Sequence, residues 1–142
     1  MPRTRPTVTE LARRLTTPPD TVDAVHDLLD RLWAVEPTIT DEDRMRFETA
    51  LIELASNVVQ HGDRGSGVDW SVNVTCDPSV LSAQLVDSAP PISLDVDARL
   101  SMPSELAEDG RGLAFVRLLV DSATFANTAA GNEWRISKNR AT

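Results

Sequence analysis

Hydrophobic and polar positions along the 142-residue chain follow two rhythms, and the changes of rhythm mark its elements. Behind the Pro-Asp-Thr start signal after "TTPPD", Val22, Val25, Leu28, Leu29 and Leu32 recur at helical spacing, which predicts a helix ending near Ala34 to Glu36. After the linker "EPTIT", Thr40 with Asp43 three residues on forms a capping-box pattern, and a second helix is expected from about Asp41 to His61. Phe47, Leu51, Ile52, Leu54, Ala55, Val58 and Val59 make it apolar over more than one face, so it should be largely buried. Gly62 is placed to stop it in a left-handed conformation.

The rhythm then changes to alternation. "VDWSVNVTC" and "VLSAQLVD", separated by Asp77, Pro78 and Ser79, predict an antiparallel hairpin. In "GRGLAFVRLLVD" helical spacing returns at Leu113, Val116, Arg117 and Val120, with Phe115, Leu118 and Leu119 widening the apolar face, so a helix should open at a glycine-rich turn. "SATFANTAAGNEWRISK" predicts a second hairpin with Gly131 and Asn132 near its turn. Two stretches carry no clear rhythm. Residues 1–15 read as a loose lead-in, within which "ELARRL" fits either a short strand or a helical turn. Residues 88–110, with Pro90, Pro91 and Pro103, are too long for a plain connection and read as a lid or binding segment.

Length and composition add limits. The chain fits one domain, residues 1–142, with enough apolar content (41%) for a core. Acidic residues outnumber basic ones by 22 to 14, which argues against nucleic acid as a direct partner. Cys76, the single cysteine, supports neither an internal disulfide nor a metal cluster, and no apolar run approaches a membrane span, so the cytoplasm is the expected location.

Candidate chemistry sits in three places. On the second helix Glu53, Asn57 and His61 recur every fourth residue and so form one polar stripe, about 5–6 Å apart at neighbouring Cβ atoms. Glu53 and Asn57 can reach one ligand, with the amide oxygen suited to Mg²⁺ and the carboxylate to orienting or deprotonating a hydroxyl, although a solvated polar stripe has the same spacing. His61 suits a helix C-terminus on structural grounds alone. Asp87 ends a strand where the chain leaves the sheet. It can accept a hydrogen bond from a ligand amino group, or simply form a turn. Gly110 and Gly112 let backbone approach a ligand at the start of a helix whose free N–H groups favour phosphate oxygens, with Arg111 adding charge, and a plain helix cap needs the same glycines.

Taken in order, Glu-x-x-x-Asn on a helix, Asp-x-small-x-Pro at a strand end, a lid-length loop and Gly-Arg-Gly-Leu opening a helix resemble the ATP-binding fold shared by gyrase, the histidine kinases and a heat-shock chaperone. Within that superfamily "ELASNVVQHG", the short lid and "GNEWRISK" look like the bacterial anti-sigma-factor serine/threonine kinases, over about Leu15 to Lys138. The resemblance implies an α+β two-layer sandwich, with a mixed, mostly antiparallel sheet and helices on one face. It implies ATP and Mg²⁺ as cofactors: Asn57 on the metal, Asp87 on the adenine amino group, Gly110, Arg111, Gly112 and Leu113 along the phosphates, Glu53 as general base and His61 in support. It also implies a sigma factor and a STAS-type anti-sigma-factor antagonist as partners, no membrane, and a homodimer through the sheet or first helix, to which Trp33 or Trp70 could contribute. One departure stands out: Ala89 occupies a position where the family usually has glycine, and it fits without strain only if its φ is negative. The alternative to a kinase is a non-catalytic protein-interaction module of the same fold.

Overall fold

The computed structural model describes residues 8–65, 67–89 and 108–141, with residues 61, 64 and 108–113 described in backbone only. In chain order the elements are β1 (Thr9–Thr17), α1 (Asp23–Val35), α2 (Asp41–Arg64), β2 (Val68–Cys76), β3 (Val80–Asp87), α3 (Glu108–Leu119), β4 (Ser122–Thr128) and β5 (Gly131–Asn139). The strands form one sheet in the order β1-β2-β3-β5-β4, and all four pairings are antiparallel. This is the expected α+β architecture. Among the described residues no helix is long and apolar enough to cross a membrane.

Alternation explains which face of the sheet is covered. Val68, Trp70, Val72, Val74 and Cys76 of β2 are buried, as are Leu81, Ala83, Leu85 and Asp87 of β3 and Asn132, Trp134 and Ile136 of β5. Because successive strand side chains point to opposite faces, these residues form one floor, and the described helices lie on it. α1 packs over β1 at one edge, α3 over β4 at the other, and α2 lies between them across β1, β2, β3 and β5. Trp70 therefore belongs to the core, with its Nε1–H donating to the Thr17 hydroxyl at 3.0 Å.

The loose lead-in gives way at Thr9 to strand β1, so of the two readings open for "ELARRL" the strand is the one that forms. Nine residues of β1 pair in continuous register with β2, and Leu15, opposite Trp70, is buried. The triplet Ala12-Arg13-Arg14 breaks the alternation that would have shown the strand. The two predicted hairpins form as expected, β2–β3 and β4–β5. In the first, Asp77 Oδ1 accepts from the Ser79 N–H (2.7 Å), the Val80 N–H (2.7 Å) and the Ser79 hydroxyl (3.0 Å), closing the three-residue turn.

α2 is pinned at both ends. At its start the Thr40 hydroxyl accepts from the Asp43 N–H at 3.1 Å, the first half of a capping box. The Asp43 carboxylate reaches further, accepting from the Ala141 N–H at 2.7 Å and lying 3.4 Å from the Lys138 ammonium, so it ties the helix to the C-terminal end of β5. Burial pushes the Asp43 carboxyl up, but the hydrogen bonds from Ala141 and Thr40 and the Lys138 charge outweigh it and hold the group below its ordinary 3.8.

The far end of α2 overturns one expectation. Gly62 does not stop the helix, which continues to Arg64, and among the described residues only Gly67 and Gly131 have positive φ. What Gly62 provides is close approach. A Cβ there would lie 2.7 Å from Val68 Cγ1 and 2.8 Å from the Thr17 carbonyl oxygen, so the helix could not sit this close to the ends of β1 and β2. α3 brings a second correction. Val116, Leu119 and Val120 are buried, but Phe115 and Leu118 are 46% and 76% exposed. Lying over an edge strand, α3 has one covered side, and at about 100° per residue Phe115 and Leu118 fall off it.

Replacing Gly62 by alanine is expected to destabilise the protein by about 1–3 kcal/mol, because the nearest backbone atom cannot yield without moving a strand; urea unfolding measures it, and an unchanged midpoint would refute the close-packing account. A carboxylate with a depressed folded pKa contributes stability above its unfolded value and loses it as pH falls through the folded one. Asp43→Asn should therefore lower the melting temperature at pH 7 and show a smaller further loss than the wild type between about pH 4 and pH 2, as thermal melts in a pH series would reveal.

Candidate functional site

The two pinned ends of α2 give its direction along the sheet. Asp43 lies beside Lys138, which pairs with Leu81, while Gly62 abuts Val68 and Thr17 at the opposite end. Asp87 is at that second end, opposite Trp70 on β2 and Asn132 on β5. The C-terminal half of α2, which carries Asn57, thus runs toward the end of the sheet where Asp87 sits.

Helix geometry sets which flank of α2 carries the polar stripe. Asp43, Phe47, Ala50, Leu51, Leu54, Ala55 and Val58 face the sheet. Glu48 faces α1, where its Oε2 lies 2.6 Å from His26 Nδ1 and its Oε1 accepts from the Trp33 indole N–H at 3.3 Å. Glu53 and Asn57 are about 140° and 180° further round the helix from Glu48. They lie on the flank away from α1, toward α3, and both are half-buried. The carboxylate and the amide therefore share the flank of α2 that faces α3. His61 follows one turn later on the same helix, with its side chain outside the described residues.

Asp87 is 4% exposed. Its Oδ1 accepts from the Ala89 backbone N–H at 3.0 Å and from the Asn132 side-chain amide at 3.0 Å. Two hydrogen-bond donors fixed on one oxygen hold the carboxyl group in a set orientation. Ala89 packs partly buried against the core, and among the described residues no residue other than glycine has positive φ. The alanine methyl therefore causes no backbone strain. Gly131, at φ +132°, is required here, because a Cβ on it would collide with the Asp87 carbonyl oxygen.

Gly110, Arg111, Gly112 and Leu113 all fall within the first turns of α3, which begins at Glu108 rather than at the glycines, with their side chains outside the described residues. Of the expected lid, residues 90–107 lie outside the described residues. A hollow of about 470 Å³ lined by Glu10, Asn73, Gln84 and Arg135 is on the face of the sheet opposite the described helices, and neither Glu53 nor Asn57 lines it.

A family model described as a histidine kinase-like ATPase domain matches residues 2–138. The chain belongs to that family. No curated protein matches the chain. As a histidine kinase-like ATPase domain it is an ATP-binding unit, and its residues fit that role: the Asp87 side chain is held in a set orientation, Ala89 is unstrained, and an amide oxygen is available one turn from a carboxylate. Among the described residues no group of three or more His, Cys, Asp or Glu could hold a metal ion.

Asn132 is the residue that sequence reading passes over. In "AAGNEW" it looks like a turn residue, yet it is 1% exposed and bonded to Asp87. Its only sequence signal is register: once β3 and β5 are paired, the first polar residue of "GNEW" falls opposite the last residue of "QLVD".

Gly131→Ala should cost about 1–3 kcal/mol in stability and weaken any ligand held by Asp87, since relief of the clash must move the Asp87 backbone. Melting temperature and nucleotide titration of the same variant report both effects, and a variant unaffected in both would show that the approach of the two strands is dispensable.

Proposed function

We propose that the protein is a cytoplasmic anti-sigma-factor-type serine/threonine kinase, which uses Mg-ATP to phosphorylate a STAS-type antagonist and sequesters a sigma factor when the antagonist is absent. The observation that carries this reading is the half-buried pair Glu53 and Asn57, one helical turn apart on the flank of α2 that faces α3, on a helix running toward Asp87. An ATP-binding unit that only held nucleotide would need the amide and the adenine-end carboxylate. A carboxylate beside the metal-binding amide adds the group that phosphoryl transfer to a hydroxyl requires.

In this reading Asp87 accepts a hydrogen bond from the adenine amino group and Asn57 donates its amide oxygen to the metal. Gly110, Arg111, Gly112 and Leu113, opening α3, lie along the phosphates, and His61 supports the stripe from its C-terminal end. Mg²⁺, when bound, neutralises charge on the phosphates. Glu53 takes the proton of the acceptor serine or threonine as its oxygen bonds to the terminal phosphorus and the bridging bond to ADP breaks. A homodimer through the sheet or α1 belongs to the same reading, and the net charge of −8 agrees with regulation through proteins rather than through DNA contact.

Titration calorimetry and transfer of label from γ-labelled Mg-ATP to a purified STAS-type antagonist separate the roles. Asn57→Ala should lose Mg-ATP affinity by roughly tenfold or more. Glu53→Ala should retain binding within a few-fold while transfer falls by about 10²–10⁴. Undiminished transfer by Glu53→Ala removes the proposed base, and absence of Mg-ATP binding at millimolar nucleotide with partner binding intact assigns the chain to the non-catalytic module instead.

A further inference from the structure

We propose that the outer edge of β1 is a self-complementary interface, through which two copies of the chain pair antiparallel about a two-fold axis at Ala12, with Glu10 of each copy facing Arg14 of the other. The inference uses no feature of the nucleotide site; it deepens the homodimer of the reading above by choosing the sheet edge over α1.

Sheet register decides which backbone groups of β1 are free. In an antiparallel pair, opposed residues alternate between those that bond to each other and those whose N–H and C=O turn away. The Asp77 N–H donates to the Val80 carbonyl at 3.0 Å and the Ser88 N–H to the Asp69 carbonyl at 2.9 Å, so every second residue of β2, counted from Asp69, bonds to β3. Trp70, Val72, Val74 and Cys76 therefore bond to their β1 partners Leu15, Arg13, Leu11 and Thr9. Glu10, Ala12, Arg14 and Thr16 are left with N–H and C=O pointing outward. Thr16 confirms the assignment, because Asp20 takes both of its groups: the Thr16 N–H donates to Asp20 Oδ2 at 2.9 Å, and the Thr16 carbonyl accepts from the Asp20 N–H at 2.9 Å. Among the described residues nothing meets the outward groups of Glu10, Ala12 and Arg14.

That free stretch matches itself. Turned about an axis normal to the sheet through Ala12, it sets Ala12 opposite Ala12 and Glu10 opposite Arg14, and every one of these pairs is of the bonded kind. Glu10 and Arg14 are both exposed on the face of β1 opposite the described helices, and opposed residues share a face, so each carboxylate meets a guanidinium. Glu10 Oε1 accepts from the Asn73 amide at 3.1 Å, which leaves Oε2 for the incoming cation. Arg14 has no hydrogen-bond or ion-pair partner among the described residues. On the other face half-buried Leu11 would meet Arg13 of the second copy, and the exposure of Arg13 shows that the helices leave room beside the edge. Charges on an edge strand ordinarily guard it against pairing. Here an axis at Glu10 or Arg14 would oppose like charges and an axis at Leu11 or Arg13 would form no ion pair, so the signs select the register at Ala12. The opposite edge of the sheet is less open, since the Arg117 guanidinium reaches the Ala123 carbonyl of β4 at 3.5 Å.

Sedimentation velocity over a dilution series tests this on wild type, Arg14→Glu, the exchange Glu10→Arg with Arg14→Glu, and Ala12→Pro, with thermal melts confirming that each is folded. Wild type should show a concentration-dependent equilibrium of monomer and dimer. Arg14→Glu opposes two carboxylates at each end of the pairing and should weaken the dimer by roughly tenfold or more, while the exchange restores it to within about threefold. Ala12→Pro removes an outward donor that the fold itself does not use and should abolish the dimer. A wild type monomeric at every concentration, or a dimer indifferent to both Arg14→Glu and Ala12→Pro, overturns the edge pairing. Mg-ATP calorimetry on wild type reports the nucleotide reading separately, so failure of the interface and failure of that reading are told apart.

Discussion

The structure depends on one long helix lying flat on an antiparallel sheet and held at both ends. At one end the buried Asp43 carboxylate ties α2 to the C-terminal end of β5. At the other, Gly62 lacks the Cβ that would hold the helix off the ends of β1 and β2. Between them Phe47, Ala50, Leu51 and Ala55 are fully buried, and each large apolar side chain so placed contributes on the order of 2–3 kcal/mol. A helix fixed in position and rotation carries its polar residues to a fixed place. With α1 occupying the Glu48 side, Glu53 and Asn57 have only the α3 side left to them.

The same constraint explains how the fold can hold a charged group at its floor. Asp87 occupies a position in β3 where alternation has already placed Leu81, Ala83 and Leu85 against the helices, so its burial follows from strand geometry rather than from local polarity. A carboxylate in such a place must be hydrogen-bonded or lose its charge. The neighbouring strand and the departing chain provide the donors, Asn132 and the Ala89 N–H. Beside the flank of α2 that faces α3, the helix is thus pinned at both ends and the sheet carries an oriented carboxyl group.

The family match and the physical reading bear on different levels. The match to a histidine kinase-like ATPase domain over residues 2–138 shows the kind of unit this is. What the unit does to a hydroxyl turns on whether Glu53 stands where a proton can be taken, and that is a matter of rotation about one helix axis. The absence of strain at Ala89 removes the main chemical objection raised by the sequence, because an alanine at negative φ differs from glycine there by one methyl packed against the core.

The sequence by itself determined the elements and their order, because side-chain periodicity is a local property: α1, the start of α2 and both hairpins follow from spacing and turn residues within a few positions. It also determined the stripe of Glu53, Asn57 and His61, which helical repeat alone places on one line. The tertiary structure decided what depends on neighbours distant in sequence. Arg13 and Arg14 hid β1, which exists because β2 offers an edge to pair with. Gly62 read as a stop signal, since the contact that explains it comes from Thr17 and Val68. Phe115 and Leu118 read as widening the apolar face, since hydrophobicity does not reveal which side of an edge helix is covered. Asn132 read as a turn residue, and only the register of β3 against β5, set by long-range backbone pairing, put its amide on Asp87.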